Sequence, residues 1–350
     1  MPNTQDLELA ATAYKVVRDL CQVKKGESLL ITIDSAGFWP LAEETAKAGE
    51  ALGAKVMVAW HSTPPGYGRA GDPYLPDALH AAIPNTDVWI EYNYQWLLYS
   101  TPWEKAVKSG RVRYLFLGGL NADQIIRTVG KVDLELQEEF QNLLVEMTAK
   151  AKTMRITTPA GTDLTFQNVP GRPINSEGWA KKPGATTFLL GQIGWAPNEE
   201  TVEGTMIFDG SFSGGGEAEI GRLKTPICLT IKKGRIQSFS GGEEAKFIEG
   251  WIQRLGDPKM YDIAHVCYGF NPGARLTGLC TEDERVWGTT EWGFGNQGPN
   301  YHGTRGAAAT HFDGTCLNSS VWLDGQQILD QGIFLEPKLA TLAKKIGKQS

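Results

Sequence analysis

The sequence has few cysteines and no concentrated positive charge, and each shortage excludes a class of protein. Its five cysteines are odd in number and lack C-x-x-C spacing, which argues against a disulfide framework or a zinc knuckle and indicates reduced thiols. The net charge of −6, without a Lys/Arg cluster, argues against nucleic acid as a partner. Neither a signal-peptide pattern nor an apolar run of membrane-spanning length is present. We therefore expect a cytoplasmic protein with no membrane partner.

A phosphate-binding motif is also missing, although strands and helices alternate in the first half of the chain. Four apolar runs predict strands, and helical patterns between them indicate βαβ units with a mostly parallel sheet; the runs are 28–33, 55–60, 87–92 and 111–117. The segment after the first run, Asp34–Trp39, lacks the G-x-G-x-x-G of dinucleotide folds. We predict a Rossmann-like α/β domain over residues 1–150 that binds no nucleotide.

The second half has a different pattern, with short strands, turns and few helices. A helix is predicted over 132–151, and hairpins are predicted around Lys233-Gly234 and Asp324-Gly325. These signals predict a second domain over residues 151–350, mainly antiparallel β. The chain also has 11 tryptophans, several in loops where aromatic-walled pockets form; in the first domain the aromatic loop residues are Trp39, Tyr67, Tyr94 and Trp96.

One stretch in this second half carries residues suited to metal chemistry. His311 and Asp313 are two positions apart, so on an extended strand both side chains leave the same face. An imidazole beside a carboxylate supplies two-thirds of a 2-His-1-carboxylate facial triad, which a second histidine would complete. An ordinary hydrogen-bonded His–Asp pair is the alternative. Nearby Arg305 offers a planar fork suited to binding an anion.

Several segments, in this order, resemble one family. They are AHVCYGFNPGAR at 264–275, GPN at 298–300, GTR at 303–305, THFD at 310–313 and VWLDG at 321–325. This set resembles the 2,5-dihydroxypyridine dioxygenases, mononuclear non-heme iron(II) enzymes that cleave aromatic rings. That family is related to the thermophilic-type metallo-aminopeptidases (aminopeptidase T). The resemblance covers most of the chain loosely and is specific only from about 260 to 325.

The resemblance implies that His265, His311 and Asp313 bind Fe(II), in a β-rich domain that carries the metal. Where the aminopeptidases have a glutamate after their first central strand, this chain has Gln192. Their H-x-G-x-G motif reads EWGFG at 291–295, so a metal pair is disfavoured. A departure from the dioxygenases is the segment Pro183–Phe188, which stands where a histidine-rich stretch is expected. The metal chemistry is therefore expected to be shared, and the substrate to differ.

Five further residues are candidates for proton transfer or substrate binding: Glu177, Glu291, Tyr301, His302 and Arg305. Glu177 is a candidate acid/base group, with a solvated loop carboxylate as the alternative. Glu291 lies among aromatic residues, and a buried unpaired carboxylate has a raised pKa that suits a general base; an ordinary salt bridge is the alternative. Tyr301 and His302 are candidates for substrate binding or a proton shuttle, and Arg305 for clamping an oxyanion.

These inferences predict a non-heme Fe(II) dioxygenase that opens the ring of a small hydroxylated aromatic or N-heteroaromatic compound. Its partners would be that substrate and dioxygen, and the family resemblance implies a homo-oligomer. The alternative is a mononuclear divalent-metal hydrolase that uses the same three ligands to activate water.

Overall fold

The computed structural model describes residues 4–176 and 178–348. Its helices are α1 (Thr4–Lys15), α2 (Trp39–Ala51), α3 (Asp77–Ala82), α4 (Thr101–Ser109), α5 (Ala122–Ile125), α6 (Leu134–Lys150), α7 (Glu243–Leu255), α8 (Cys280–Asp283) and α9 (Pro337–Lys345). Within these residues, no helix combines the length and the apolar content needed to cross a membrane.

The strands fall into one parallel sheet and two larger antiparallel sheets. In chain order they are β1 (Ser28–Asp34), β2 (Lys55–His61), β3 (Val88–Glu91), β4 (Arg113–Phe116), β5 (Thr153–Thr157), β6 (Asp163–Gln167), β7 (Asn175–Ser176), β8 (Thr186–Thr187), β9 (Gln192–Trp195), β10 (Glu203–Phe208), β11 (Ser211–Ser213), β12 (Glu219–Arg222), β13 (Ile227–Lys232), β14 (Arg235–Gly241), β15 (Ile263–Gly269), β16 (Thr289–Gly295), β17 (His311–Cys316), β18 (Ser320–Leu323), β19 (Gln326–Asp330) and β20 (Ile333–Phe334).

The chain divides into two compact units. Unit 1 comprises Met1–Val132 with Glu177–Leu190, and unit 2 comprises Asp133–Ser176 with Gly191–Ser350. The sequence analysis placed a single boundary at residue 150, whereas α6 packs with unit 2 through Phe140, whose ring contacts those of Phe270, Trp287 and Phe334. Because α6 buries this aromatic side chain in the core of unit 2, the helix belongs to unit 2.

Unit 1 is built on the parallel sheet, in the order β2-β1-β3-β4-β8. The buried runs of β1, β3 and β4 are typical of a parallel sheet covered on both faces. α2 packs closely on this sheet because Gly49 has no side chain: a Cβ there would lie 2.7 Å from Leu29 Cδ2. The last strand, β8, comes from the segment Pro183–Phe188 and pairs in parallel with β4.

Unit 2 contains the two antiparallel sheets, of orders β14-β13-β10-β6-β5-β18-β19-β20 and β12-β11-β17-β16-β15-β9-β7. A single hydrophobic core draws side chains from both sheets and from α6, α7 and α9. The predicted combination of a parallel sheet in the first half with antiparallel sheets in the second is confirmed. Among the strands that the sequence analysis missed are β9, β10 and β16, because glycines and polar residues interrupt their apolar residues and leave no clean alternation.

Candidate metal centre

Three adjacent strands of unit 2 bring the predicted metal ligands onto one face of a sheet. β15, β16 and β17 pair antiparallel, and Gly293 on the middle strand lies opposite both His265 and Asp313. Directly opposed residues, and residues two apart on one strand, share a face, so His311 and Glu291 lie on it as well. Gly293 leaves this face open at its centre, since a Cβ there would lie 2.2 Å from His265 Cε1.

The side chains of His265, His311 and Asp313 converge. Asp313 Oδ1 lies 2.8 Å from His311 Nε2 and 3.5 Å from His265 Nε2. One ligand atom from each residue lies within 4.8 Å of the others, and all three side chains are buried. The structure thus brings together three residues that are separated by up to 48 positions in the chain.

The hydrogen bonds of His311 fix where its proton lies. Its Nδ1 is 2.7 Å from the backbone oxygen of Asn296, which only accepts hydrogen bonds, so Nδ1 carries the hydrogen. The lone pair of Nε2 would then face Oδ1 of Asp313, which is also an acceptor. The contact therefore requires a second proton on the ring or a cation. Burial lowers the pKa of His311, but the Asp313 carboxylate, the Glu291 charge and the hydrogen bond to Asn296 together raise that pKa above its usual value.

His265 is held as a neutral imidazole. Burial lowers its pKa to about 4, although the Asp313 carboxylate acts in the opposite direction. Its Nδ1 is buried and has no hydrogen-bond partner within residues 4–176 and 178–348. A neutral imidazole is the form that binds a metal ion.

Two aromatic rings stack on the His265 imidazole. The Tyr301 ring lies 4.8 Å away, centroid to centroid, at an interplanar angle of 13°. The His311 ring lies 5.1 Å away at 17°. Tyr301 is itself buried, at the end of the short helical turn Pro299–Tyr301, and the stack restricts the orientation of the His265 imidazole.

Glu291 lies beside the same imidazole. Its Oε2 is 3.1 Å from His265 Nε2, while its Oε1 is buried and without a hydrogen-bond partner in the described part of the chain. Burial, followed by the nearby Glu284 carboxylate, raises the pKa of Glu291. The sequence analysis expected a buried carboxylate here, and the structure places one against a predicted metal ligand.

The remaining predicted residues do not join this cluster. Glu177 lies outside the described residues. His302 is exposed, in the left-handed backbone conformation after the Tyr301 turn. Arg305 donates to the backbone oxygen of Lys233 at 3.0 Å and forms an ion pair with Glu200 at 2.9 Å. The guanidinium therefore already pairs with one carboxylate, and its role as an anion clamp stays a prediction.

Sequence reasoning missed a carboxylate next to the cluster, Glu284. It receives hydrogen bonds from Cys280 Sγ at 2.6 Å, Arg285 Nη1 at 2.7 Å and Gln192 Nε2 at 3.3 Å. Cys280, Glu284 and Asp313 also offer ligand atoms within 4.8 Å of one another. The signal was the run Glu282-Asp-Glu284 before Arg285, since acidic residues next to a single arginine indicate a charged contact.

A second missed carboxylate, Glu219, lies two strands beyond Asp313 in the same sheet. It accepts a hydrogen bond from Ser213 Oγ at 2.8 Å, and Ser213 lies opposite Asp313. Burial raises its pKa to about 7, and the charge of Asp313 acts in the same direction. The sheet face therefore carries several buried acidic groups, which favours a bound cation.

Comparison with known proteins bears on the family and on the fold. The sequence model of the family described as 2,5-dihydroxypyridine 5,6-dioxygenase matches residues 10–336. A 2,5-dihydroxypyridine 5,6-dioxygenase of Pseudomonas putida is 24% identical over 208 residues. That alignment covers 54% of this chain and only 56% of the length of the relative.

Two solved structures share the fold. A structure of 2,5-dihydroxypyridine dioxygenase from Pseudomonas putida superposes with a TM-score of 0.78 at 21% identity, covering 96% of this chain and 99% of that one. AmpT from Thermus thermophilus superposes with a TM-score of 0.67 at 13% identity, covering 94% and 99%. Because the family model matches nearly the whole sequence, the chain belongs to the 2,5-dihydroxypyridine 5,6-dioxygenase family.

Proposed function

We propose that this protein is a ring-cleaving dioxygenase whose substrate is a small hydroxylated aromatic or N-heteroaromatic compound. Membership of the family supports the reaction class. The proposed metal is Fe(II), held by His265, His311 and Asp313. Two imidazoles and one carboxylate form the facial set that suits Fe(II) and leaves other positions open.

The contact between His311 and Asp313 is the observation that carries the metal proposal. With Nδ1 protonated, Nε2 faces a carboxylate oxygen at 2.8 Å, and this contact needs either a second proton on the ring or a cation. A metal ion placed between these atoms and His265 Nε2 would satisfy all three lone pairs. Glu291 Oε1, which is buried without a hydrogen-bond partner among the described residues, fits the same interpretation, since buried polar atoms are rarely left without a partner.

When bound, Fe(II) would supply the redox chemistry that lets dioxygen react with an aromatic ring. The protein residues hold the ligands and exclude water. Asn296 fixes the tautomer of His311, Gly293 leaves room for the His265 ring, and Tyr301 covers that ring on one face. Buried ligands also weaken competition from bulk water.

We propose Glu284 as the group that accepts a proton from the substrate hydroxyl. Its side chain keeps 14% exposure, whereas those of Glu291 and Asp313 are almost entirely buried. It lies beside Asp313 and is oriented by Cys280, Arg285 and Gln192. This carboxylate would take the place of the histidines that the family resemblance led us to expect at Pro183–Phe188, where the chain forms β8 instead.

Three further expectations, on the two domains and on the oligomeric state, accompany this proposal. Unit 1 would be a Rossmann-like scaffold without a nucleotide, because Asp34–Trp39 lacks a phosphate-binding motif. The metal-binding catalytic domain would be the β-rich second half, residues 151–350. The homo-oligomer rests on the family resemblance alone, and sedimentation analysis of the purified protein tests it.

The alternative is a divalent-metal hydrolase on the same site. The fold shared with AmpT and the two extra carboxylates, Glu284 and Glu291, favour it, since a metal-activated water needs a nearby base. Anaerobic purification, Fe(II) loading and a screen of hydroxypyridines and dihydroxybenzenes in air test the dioxygenase. Loss of a screened compound with ring opening supports the dioxygenase. If none of the compounds is consumed and a peptide amide is hydrolysed, the hydrolase is supported.

A further inference from the structure

The carboxylate of Glu291 has no role in the three-ligand centre proposed above, although it contacts one of the ligands. Glu291 is fully buried on β16, two residues before Gly293 and on the same face of the sheet. Its partner on β15 is Cys267. Besides the group of His265, His311 and Asp313, a second group of ligand atoms lies within 4.8 Å: His265, Cys267 and Glu291. His265 belongs to both groups, and Glu291 Oε2 lies 3.1 Å from the His265 Nε2 that faces Asp313.

The contact between Glu291 and His265 cannot be satisfied by the protein alone if His265 is a ligand through Nε2. A lone pair on Nε2 would face Glu291 Oε2 at 3.1 Å and Asp313 Oδ1 at 3.5 Å. The same conflict of acceptors exists between His311 and Asp313. One cation would resolve both conflicts. It would also give a charged partner to Glu291, whose Oε1 has no hydrogen-bond partner among the described residues, and a buried carboxylate is costly without such a partner.

We infer that Glu291 is a fourth protein ligand, so that the metal is held by two histidines and two carboxylates. This inference rests on the proposed metal centre and replaces the general-base role expected for Glu291 from the sequence. Two carboxylates would neutralise the charge of a divalent ion in this buried site. Of about six positions in an octahedral ion, only about two would stay open. The substrate would then bind through a single oxygen if dioxygen takes the other position.

The wild-type protein provides a first test that needs no mutation. Mn(II) prefers about six oxygen or nitrogen ligands in an octahedron, so four protein ligands leave about two positions for water. We expect two exchangeable waters on the Mn(II)-loaded protein, counted by water-proton relaxation and by electron–nuclear resonance in ¹⁷O-labelled water. Three waters would overturn the inference. A protein that binds neither Mn(II) nor Co(II) would instead overturn the three-ligand centre itself.

Glu291→Gln removes the charge and keeps the shape, and Glu91→Gln in unit 1 is the matched control because Glu91 is equally buried. With Co(II) as the probe, we expect Glu291→Gln to raise the dissociation constant by more than roughly tenfold and to shift the visible absorption bands. Glu91→Gln should change neither. Glu291→His, which supplies another ligand atom, should recover most of the affinity with a different spectrum.

Weaker binding with unchanged bands would mean that Glu291 only orients His265 through a hydrogen bond, and the inference would be wrong. Unchanged affinity with unchanged bands would also overturn it. If Glu291→Gln fails to fold, as judged by circular dichroism, the water count on the wild-type protein decides.

Discussion

Glu91 in unit 1 and Glu291 in unit 2 are both fully buried on strands, and burial raises the pKa of both carboxyl groups. Their surroundings differ. Glu91 Oε1 accepts a hydrogen bond from Leu97 N at 2.5 Å, and its Oε2 accepts one from Tyr114 Oη at 2.5 Å. Glu291 Oε2 lies 3.1 Å from His265 Nε2, and Glu291 Oε1 has no hydrogen-bond partner in the described residues.

The difference separates a structural buried acid from one that we propose to be a metal ligand. Both oxygens of Glu91 have donors within unit 1, so this group needs nothing from outside the protein. Glu291 lies among other acceptors, with the carboxylates of Asp313 and Glu284 nearby. A buried group of this kind is stable only with a proton or a cation, and the adjacent imidazoles favour the cation.

The largest expected effect comes from removing the carboxylate that both histidines share. Asp313→Ala should abolish metal binding and activity, with a loss greater than the roughly 100-fold typical of outer partners of a ligand. Metal content by elemental analysis after anaerobic reconstitution measures it. Asp283→Asn is the control, because this buried carboxylate is satisfied by the backbone N–H groups of Thr277 and Gly278. Iron retained by Asp313→Ala at the wild-type level would exclude Asp313 as a ligand.

A second effect is on stability. A metal that binds only the folded chain stabilises it by about 2.7 kcal/mol when its concentration is 100 times the dissociation constant. Melting of the wild-type protein should therefore rise by several degrees with anaerobic Fe(II), whereas His311→Ala should melt at the same temperature with and without it. An equal rise in both proteins would place the bound metal elsewhere.

Much of the fold follows from the sequence, whereas the site follows only in part. The strands β1 to β4 of unit 1 and two hairpins of unit 2, around Lys233-Gly234 and Asp324-Gly325, were predicted because apolar runs and turn residues are local signals. The two-residue spacing correctly placed His311 and Asp313 side by side. His265 was identified only through the family resemblance. No local sequence pattern predicts that β15 pairs with β16 and that β16 pairs with β17.

Arg305 and Glu284 have partners that come from distant parts of the chain. Arg305 contacts Lys233 and Glu200, 72 and 105 positions away, so its neutralisation was not visible from its own neighbourhood. Glu284 meets Gln192 across 92 positions. Only the order of strands in the sheet brings such residues together.

The structural acid also makes a prediction about pH. Burial raises the pKa of Glu91 from 4.5 to about 8, although its hydrogen bonds from Tyr114 and Leu97 act in the opposite direction. The folded protein therefore holds a proton that the unfolded chain releases, and its stability falls as pH rises from about 4.5 to about 8, by at most about 1.4 kcal/mol per pH unit. Urea unfolding of Glu91→Gln from pH 5 to 8 should show a weaker decline than the wild type. Parallel declines would mean that Glu91 is ionised in the folded protein.

The smallest effect is expected at Arg305. If its ion pair with Glu200 is only a surface contact, Arg305→Ala should cost about 1 kcal/mol or less of stability and should leave iron content and the KM for substrate nearly unchanged. The sequence-based clamp predicts instead a loss of about 1.5–3 kcal/mol in binding an anionic substrate. Steady-state kinetics of the variant distinguish the two, with Glu200→Gln as the control that frees the guanidinium.

The most direct test of the account is the stoichiometry of dioxygen uptake. The Fe(II)-loaded protein, given a hydroxylated pyridine or benzene that it consumes, should take up one dioxygen for each substrate lost, as measured with an oxygen electrode and chromatography. Substrate loss should stop under argon. In the Asp313→Ala variant in air, both substrate loss and dioxygen uptake should stop. Substrate turnover at the full rate under argon would contradict the dioxygenase and favour the hydrolase.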